Sequence, residues 1–172
     1  MPTPKPVPGA LLPLMTFPKA GGGTLSVGGQ RDNWTLLTVY RGKHCPRCKK
    51  YLSILDDMRN KWHDAGFDLA IVSADTEDKA LADQEKFGWG FDLAYGLTES
   101  QMDALGLFVT EPLSASETDR HFAEPGTFVI RPDGSLLLVA ISNGPSARPD
   151  LHELLDGMIF TKDNDRPPRG TV

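Results

Sequence analysis

Two cysteines separated by two residues are the feature of this sequence best suited to chemistry. Cys45 and Cys48 are the only cysteines among the 172 residues, so the chain is not a disulfide-rich scaffold. A pair with this spacing can cycle between a dithiol and a disulfide, because one thiolate attacks a substrate and the second thiol resolves the product. The spacing therefore predicts a redox site in which Cys45 attacks and Cys48 resolves.

The residues around this pair predict that Cys45 lies where a buried strand ends and a helix begins. Residues 35–40 are apolar and β-prone with little alternation, which is typical of a strand covered on both faces. Pro46 is suited to the first turn of the helix that follows. The free N–H groups and the dipole of a helix N-terminus stabilise a thiolate, and only the thiolate is a good nucleophile.

Basic side chains near the cysteines are expected to lower the pKa of the Cys45 thiol further. They are Arg41, Lys43, His44 and Arg47.

Three other interpretations of the cysteine pair stay open at this stage. The pair could be structural and buried, although burial explains neither the strand-to-helix position nor the flanking charges. A metal site formed by His44, Cys45 and Cys48 would lack a fourth ligand, because no second Cys or His pair has a suitable spacing. The third alternative is a redox-sensing or partner-binding module that changes conformation when the disulfide forms but turns over no substrate.

The order of the predicted elements indicates an α/β fold. Residues 24–27 read as a short strand. Buried strands at 35–40 and 67–73 and a weaker one at 91–95 are joined by helical segments, which implies parallel pairing. A turn at 131–134 between two β-prone runs predicts an antiparallel hairpin over 127–141. The chain should therefore form a mixed central β-sheet flanked by helices.

Helical faces are predicted from the spacing of the apolar residues. Asp75 is expected to cap the second helix, Thr98 and Gln101 match a capping box that opens a third, and Asp150 is expected at the start of the last. The residues expected to face inward are Cys48, Tyr51, Leu52, Leu55, Met58 and Trp62 in the first helix, Ala80, Leu81, Gln84 and Phe87 in the second, and Leu151, Leu154, Leu155, Met158 and Ile159 in the last.

The ends and the composition bound the remaining possibilities. Residues 1–10 are expected to form an extended Pro-rich arm, 11–160 the redox domain, and 161–172 a polar tail.

The net charge of −5 argues against a nucleic-acid partner. No stretch reaches the roughly 18 consecutive apolar residues of a membrane span, and Pro13 interrupts the N-terminal apolar patch, which argues against a secretory signal. The expectation is a cytoplasmic protein with no cofactor and no metal.

The segment from Tyr40 to Cys48 resembles the Tyr-Arg-Gly-x-x-Cys-Pro-x-Cys signature of the peroxiredoxin-like branch of the alkyl hydroperoxide reductase/thiol-specific antioxidant (AhpC/TSA) family. Further matches are the segments 72–75 and 94–96 and the run from Glu124 to Gly134. The resemblance covers about residues 8–160. It implies a thioredoxin-like fold and thiol-dependent reduction of peroxides or disulfides, with Cys45 at the peroxidatic position and Cys48 as a nearby resolving thiol.

The resemblance also implies site residues that this chain lacks or replaces. Peroxiredoxins place Pro and Thr seven and three residues before the reactive cysteine, where this chain has Thr38 and Gly42. Their peroxide-orienting arginine precedes the strand where this chain has Pro125, a position at which thioredoxin-fold proteins place a cis-proline facing the dithiol. Thioredoxins carry a buried aspartate at the position of Val39. Arg41 and His44 are the candidates to take over the missing functions.

The resemblance further implies the partners of the site. They are a peroxide or disulfide substrate and a thiol reductant such as thioredoxin or a small thiol, and relatives of this kind often form homodimers. The sequence leaves the choice between peroxide and disulfide open.

Overall fold

The structure, a computed structural model, describes residues 5–172. Its main strands are β3 (Trp34–Val39), β4 (Phe67–Val72), β5 (Leu93–Ala94), β8 (Gly126–Ile130) and β9 (Leu136–Ile141). Two smaller pairs are formed by β1 (Met15–Pro18) with β2 (Thr24–Val27), and by β6 (Val109–Thr110) with β7 (Phe122–Ala123). The helices are α1 (Pro46–Asp64), α2 (Glu77–Phe87), α3 (Glu99–Ala104) and α4 (Leu151–Asp163). Among these described helices none has the length and apolar character needed to cross a membrane.

The five main strands form one mixed sheet in the order β5-β4-β3-β8-β9. β3 pairs with β4, and β4 with β5, in parallel, because helices connect these strands. The hairpin of β8 and β9 adds antiparallel pairs on the other side of β3. The predicted mixed sheet flanked by helices is therefore confirmed.

Both faces of β3 are buried, which explains its nearly continuous apolar sequence. Leu36 packs into a core with α1 and α4, whereas Leu37 and Val39 belong to a second core on the opposite face of the sheet. Tyr40 and both cysteines lie in the first core. The chain that leaves β3 therefore carries the cysteines directly onto a buried surface.

The buried face of α2 differs from the prediction. Ala80 and Asp83 face inward, while Leu81 and Phe87 are exposed. Asp83 faces Lys49 on α1, with the carboxylate and ammonium 3.7 Å apart. Ala80 and Asp83 lie three positions apart and share the inward face, so Leu81, next to Ala80, is turned outward, and Phe87 is the last residue of the helix. Phe87 stacks on Trp89 instead, with ring centroids 5.1 Å apart.

Two further details of the helices correct the sequence interpretation. Thr76 is the N-cap of α2, and Asp75, predicted to be that cap, bonds to another segment described below. Ile159 is exposed on α4, because the inward stripe of that helix runs through the neighbouring Leu151, Leu154, Leu155 and Met158. The capping box of Thr98 and Gln101 on α3 and the Asp150 cap of α4 are present.

The described residues near both ends of the chain lie along β9, the edge strand of the sheet. Residues 1–4 of the predicted arm lie outside the described residues, whereas the Gly9 N–H donates to the Leu136 carbonyl oxygen at 2.7 Å. β1, which the sequence interpretation missed, pairs with β2. At the other end α4 continues to Asp163, into the predicted tail. The division at residues 10 and 161 stays a prediction.

Candidate active site

The register of β3 brings three separate segments to the site. Val39 pairs with Val72 of β4 in parallel and with Gly126 of β8 in antiparallel orientation. The segment that follows β4 therefore meets residues 40–45, and so does the segment that precedes β8. This places Asp75 and Glu124 beside the chain that enters α1.

Cys45 is the N-cap of α1. Its backbone is extended, its sulfur accepts a hydrogen bond from the Cys48 N–H at 3.3 Å, and Pro46 occupies the first turn, where no N–H is needed. The Cys45 N–H itself donates to the Gly42 carbonyl oxygen at 3.1 Å. The predicted position of Cys45 at the helix N-terminus is thus found in the structure.

The surroundings of Cys45 lower the pKa of its thiol to about 6. The hydrogen bond with the Cys48 side chain is the largest cause, and the Cys48 N–H and the Arg41 cation lower the pKa further. Burial acts in the opposite direction because it disfavours the charged form. Cys45 is therefore mainly a thiolate at neutral pH.

Cys48 lies below Cys45 in the core and is fully buried. The pKa of its thiol is raised well above the usual range, first by its hydrogen bond with the Cys45 sulfur and then by burial. Cys48 is consequently a neutral thiol that donates to the Cys45 thiolate. Both cysteines are free. The opposite pKa shifts favour Cys45 as the nucleophile and Cys48 as the resolving thiol.

Arg41 is held beside Cys45 by two carboxylates. Its Nε lies 3.0 Å from Glu124 Oε2, and one Nη lies 3.8 Å from Glu117 Oε1. Glu124 is buried and also accepts a hydrogen bond from the Thr110 hydroxyl at 2.8 Å. The guanidinium group lies over the ring of Phe122, 4.9 Å from its centroid. These contacts restrain the Arg41 cation and hold it close to the thiolate.

Gly42 allows the chain to turn sharply between β3 and α1. Its φ of 135° is rarely adopted by residues with side chains, and a Cβ atom would lie 2.7 Å from Asp75 Oδ1. Asp75 accepts a hydrogen bond from the Lys43 N–H at 2.8 Å. Gly42, at the position where peroxiredoxins carry threonine, is therefore needed here for the turn, and Asp75 holds the turn in place.

A loop over residues 111–121 lies beside the residues that precede Cys45. The pairing of β6 with β7 closes this loop at its base. Lys79 of α2 holds the loop through Thr118 and Asp119, each at 3.1 Å. Glu117 completes the attachment by its contact with Arg41. In this arrangement only 1% of Cys45 is exposed.

His44 differs from the prediction that it adds positive charge. Burial and the charge of Arg41 lower the pKa of its imidazole, and neither ring nitrogen has a hydrogen-bond partner among the described residues. Its ring meets that of Phe122 edge-on, with centroids 4.5 Å apart. His44 is therefore uncharged at pH 7 and lines the site beside Phe122.

The remaining predicted site residues occupy different positions around the cysteines. Pro125 is buried next to Glu124, and its peptide bond is trans, as are all the peptide bonds of residues 5–172. Arg47 is exposed and lines a cavity beside α1. Asp75, Glu117 and Phe122 complete the site but were not identified from the sequence. The only sequence signal for them was the resemblance to the family in two segments. The segment 72–75 includes Asp75, and the segment 124–134 begins two residues after Phe122.

No cluster of three or more His, Cys, Asp or Glu side chains suited to a metal ion occurs within residues 5–172. His121 pairs with Glu99 at 2.7 Å on the surface.

The lowered pKa of Cys45 predicts a specific pH dependence of its reactivity. The rate of alkylation of the reduced protein by iodoacetamide should rise as the pH increases through about 6 and should level off near neutrality, since only the thiolate reacts. The measurement is the alkylation rate across this pH range, with mass analysis of the modified residue. The Cys45→Ser variant is the control and should show no such step. A midpoint near the ordinary value of about 8.5 would contradict the prediction.

Comparison with known proteins places this site in a family. The sequence matches the model of the AhpC/TSA family over residues 8–139. No curated protein matches the chain.

Solved structures of peroxiredoxins have the same fold. A peroxiredoxin-like protein from Aquifex aeolicus is 17% identical, with 90% of this chain and 86% of that chain covered and a TM-score of 0.75. The peroxidoxin BcpB from Mycobacterium tuberculosis is also 17% identical, with 94% and 99% covered and a TM-score of 0.71. The reduced 2-Cys peroxiredoxin of Plasmodium vivax is 16% identical, with 98% and 92% covered and a TM-score of 0.74.

The matched region contains the Cys45–Cys48 segment, the turn at Gly42 and Glu124, which directly follows β7. It spans most of the chain, and the fold is the thioredoxin-like fold of the peroxiredoxins. The chain therefore belongs to the AhpC/TSA family.

Proposed function

We propose that this protein is a thiol peroxidase that reduces peroxides through a Cys45/Cys48 dithiol–disulfide cycle. The observation that carries the proposal is the state of Cys45, whose thiol has a pKa of about 6 and lies beside the Arg41 cation and the Cys48 N–H. A thiolate with hydrogen-bond donors around it is suited to attack an oxygen atom.

The cycle has two chemical steps. The Cys45 thiolate attacks one oxygen of the peroxide, the O–O bond breaks, and the other oxygen leaves as an alcohol or water after it takes up a proton. Cys45 is now a sulfenic acid. The Cys48 sulfur then attacks the Cys45 sulfur, the S–O bond breaks, and the hydroxyl group leaves as water with the proton of the Cys48 thiol. The product is the Cys45–Cys48 disulfide.

Arg41 is proposed to stabilise the transition state of the first step. Negative charge moves from the Cys45 sulfur to the departing oxygen as the O–O bond breaks. A cation held beside the sulfur stabilises the charge that develops there. The ion pair with Glu124 restrains the Arg41 side chain before the peroxide binds. Arg41 would thus replace both the missing threonine and the missing arginine of other peroxiredoxins.

The enclosure of Cys45 favours a small oxidant as the substrate. With 1% of Cys45 exposed, a protein disulfide would require the residues around the sulfur to move before contact, whereas hydrogen peroxide is a far smaller molecule. We therefore favour peroxide over a protein disulfide. Thioredoxin or a small thiol would regenerate the dithiol, and a cytoplasmic location, where thiols are kept reduced, suits this cycle.

Stopped-flow oxidation of the reduced protein by hydrogen peroxide, followed by mass analysis, tests the proposal. Rapid formation of a Cys45–Cys48 disulfide at one equivalent of peroxide is the expected result. Slow oxidation together with fast exchange with a disulfide substrate would show that the protein is a disulfide reductase. Slow reaction with both oxidants would support the non-catalytic redox-sensing alternative.

A further inference from the structure

A cavity of about 430 Å³ lies beside the cysteine helix, and no residue of the loop at 111–121 lines it. One wall is a single face of α1, formed by Arg47, Lys50, Tyr51 and Ile54, which are spaced as neighbours on one side of a helix. The other wall is the segment 145–152, which leads into α4. Nothing in the proposed peroxide step uses this cavity.

Three cations around the cavity lack acidic partners in the part of the chain that the structure describes. Within residues 5–172 no carboxylate lies within ion-pair distance of Arg47, Lys50 or Arg148, whereas Arg41, Lys49 and Arg59 of the same region are all paired. One Nη of Arg148 is buried and has no hydrogen-bond partner among these residues. The one acidic residue in the lining, Asp150, accepts hydrogen bonds from the His152 and Glu153 N–H groups as the cap of α4. The cavity is therefore suited to an anion.

Apolar surface separates these cations. Arg148 lies over the ring of Tyr51, 4.5 Å from its centroid, and Tyr51 is fixed by its hydroxyl, which donates to the Pro149 carbonyl oxygen at 2.6 Å. Ile54 and Pro145 complete the apolar part of the lining. A ligand that fits has a short carbon chain and one or more anionic groups.

The cavity lies next to the turn of α1 that contains the resolving cysteine, and neither cysteine is part of its lining. Tyr51 lies one helical turn after Cys48 on α1, and Arg47 directly precedes Cys48 in the chain. The positive charge of Arg148 lowers the pKa of the Cys48 thiol, against the larger effects that raise it. A ligand bound between Arg148 and Arg47 would therefore be held near Cys48.

We propose that this cavity binds a low-molecular-mass thiol carrying carboxylate groups, which reduces the Cys45–Cys48 disulfide. This inference rests on the proposed function, since it assigns the reductant of the same cycle. Carboxylates match the guanidinium groups of Arg47 and Arg148 in geometry and charge, and the short carbon chain lies against Tyr51.

Reduction by such a thiol has two steps. Its thiolate attacks the Cys48 sulfur, which is the sulfur that the charge of Arg148 reaches, the disulfide breaks, and Cys45 leaves as the thiolate that its surroundings stabilise. A second thiolate attacks the ligand sulfur of the mixed disulfide and releases a low-mass disulfide and the Cys48 thiolate, which takes a proton from solvent. Two thiols are oxidised and one protein disulfide is reduced. Arg148 assists by stabilising the Cys48 thiolate as it leaves.

The test compares three thiols of different charge on the protein whose disulfide has been formed with diamide. Mercaptosuccinate is anionic, 2-mercaptoethanol is neutral and cysteamine is cationic. For each thiol the rate of disulfide loss is measured in wild type and in Arg148→Gln, and the ratio of the two rates removes the intrinsic reactivity of the thiol. We expect about a tenfold loss with mercaptosuccinate and at most about a twofold loss with the other two.

Lys61→Gln is the matched control, because it removes one positive charge from an exposed position on the same helix. It should leave all three rates unchanged. If Arg148→Gln slows the three thiols equally, Arg148 acts only on the leaving thiolate and the inference is wrong.

A binding measurement separates this inference from the proposed function. The S-methyl derivative of mercaptosuccinate cannot reduce a disulfide, and calorimetry should show it binding to the reduced Cys45→Ser protein. Arg148→Gln in that protein should weaken the binding about tenfold. Absence of binding overturns the inference, whereas binding without any disulfide formation in the wild type overturns only the proposed function.

Discussion

Replacement of Cys45 by serine should lower the rate of peroxide reduction by about a thousandfold or more, because the hydroxyl of serine stays protonated and is a far weaker nucleophile than a thiolate. The measurement is the steady-state consumption of hydrogen peroxide with dithiothreitol as the reductant. The fold should be retained. Serine is itself a good N-cap, so the introduced hydroxyl can accept the bond that the Cys48 N–H donates to Cys45. Thermal unfolding close to that of the wild type would confirm this.

Cys48→Ser is the companion variant, and its reaction with peroxide should stop at a different point from that of Cys45→Ser. Cys45 should still consume one equivalent of peroxide, but its sulfenic acid should persist without the resolving thiol and should be trapped by dimedone. Equal and complete loss of reaction in both variants would contradict the assignment of roles. Retention of peroxide turnover in Cys45→Ser would contradict the whole proposed cycle.

Replacement of Arg41 by methionine should raise the pKa of the Cys45 thiol by about one unit or more and slow its oxidation by peroxide about tenfold to a hundredfold. The cation contributes to the lowered pKa of Cys45 and lies where charge shifts during attack. The pKa is measured from the pH dependence of thiolate absorbance, and the oxidation rate by stopped flow at a pH where Cys45 is fully ionised in both proteins. A slower rate at that pH isolates the effect on the transition state from the effect on the pKa.

The same substitution should also destabilise the protein, and a second variant separates the two effects. Arg41→Met leaves the buried Glu124 carboxylate without its ion-pair partner, which should cost about 3 kcal/mol in the free energy of unfolding. The double variant Arg41→Met/Glu124→Gln removes both charges and should recover most of this stability in urea unfolding. The pKa of its Cys45 thiol should stay as high, and its oxidation by peroxide as slow, as in the single variant. Recovery of the oxidation rate with the stability would mean that Arg41 acts only structurally.

Much of the fold and the centre of the site could be predicted from local features of the sequence. The apolar run before Cys45 and the proline after it determine a strand and a helix start by short-range rules. The sharp turn between them places the first cysteine at the cap. Pairing of the hairpin likewise follows from its turn residues. These predictions succeeded because each depends on residues that are close in the chain.

The errors arose where a residue's role depends on a distant segment. Asp75 has the properties of a helix cap, but its carboxylate meets the Lys43 N–H across the ends of two parallel strands. Leu81 and Phe87 fit an inward helical stripe, but α2 turns Ala80 and Asp83 inward, and Asp83 meets Lys49 of α1. His44 looks like a cation in the sequence, and its burial against Phe122 makes it neutral.

The sequence by itself determined the chemistry of this protein: the two thiols, their spacing, the helix start that favours a thiolate and the family motif around them. The tertiary structure alone decided the surroundings of that chemistry. The sheet register sets Glu124 beside Arg41, the loop at 111–121 brings Glu117 to the same arginine, and the segment before α4 brings Arg148 to the cysteine helix. Local sequence specifies local backbone geometry, whereas burial and charge pairing between distant segments are set only when the whole chain packs.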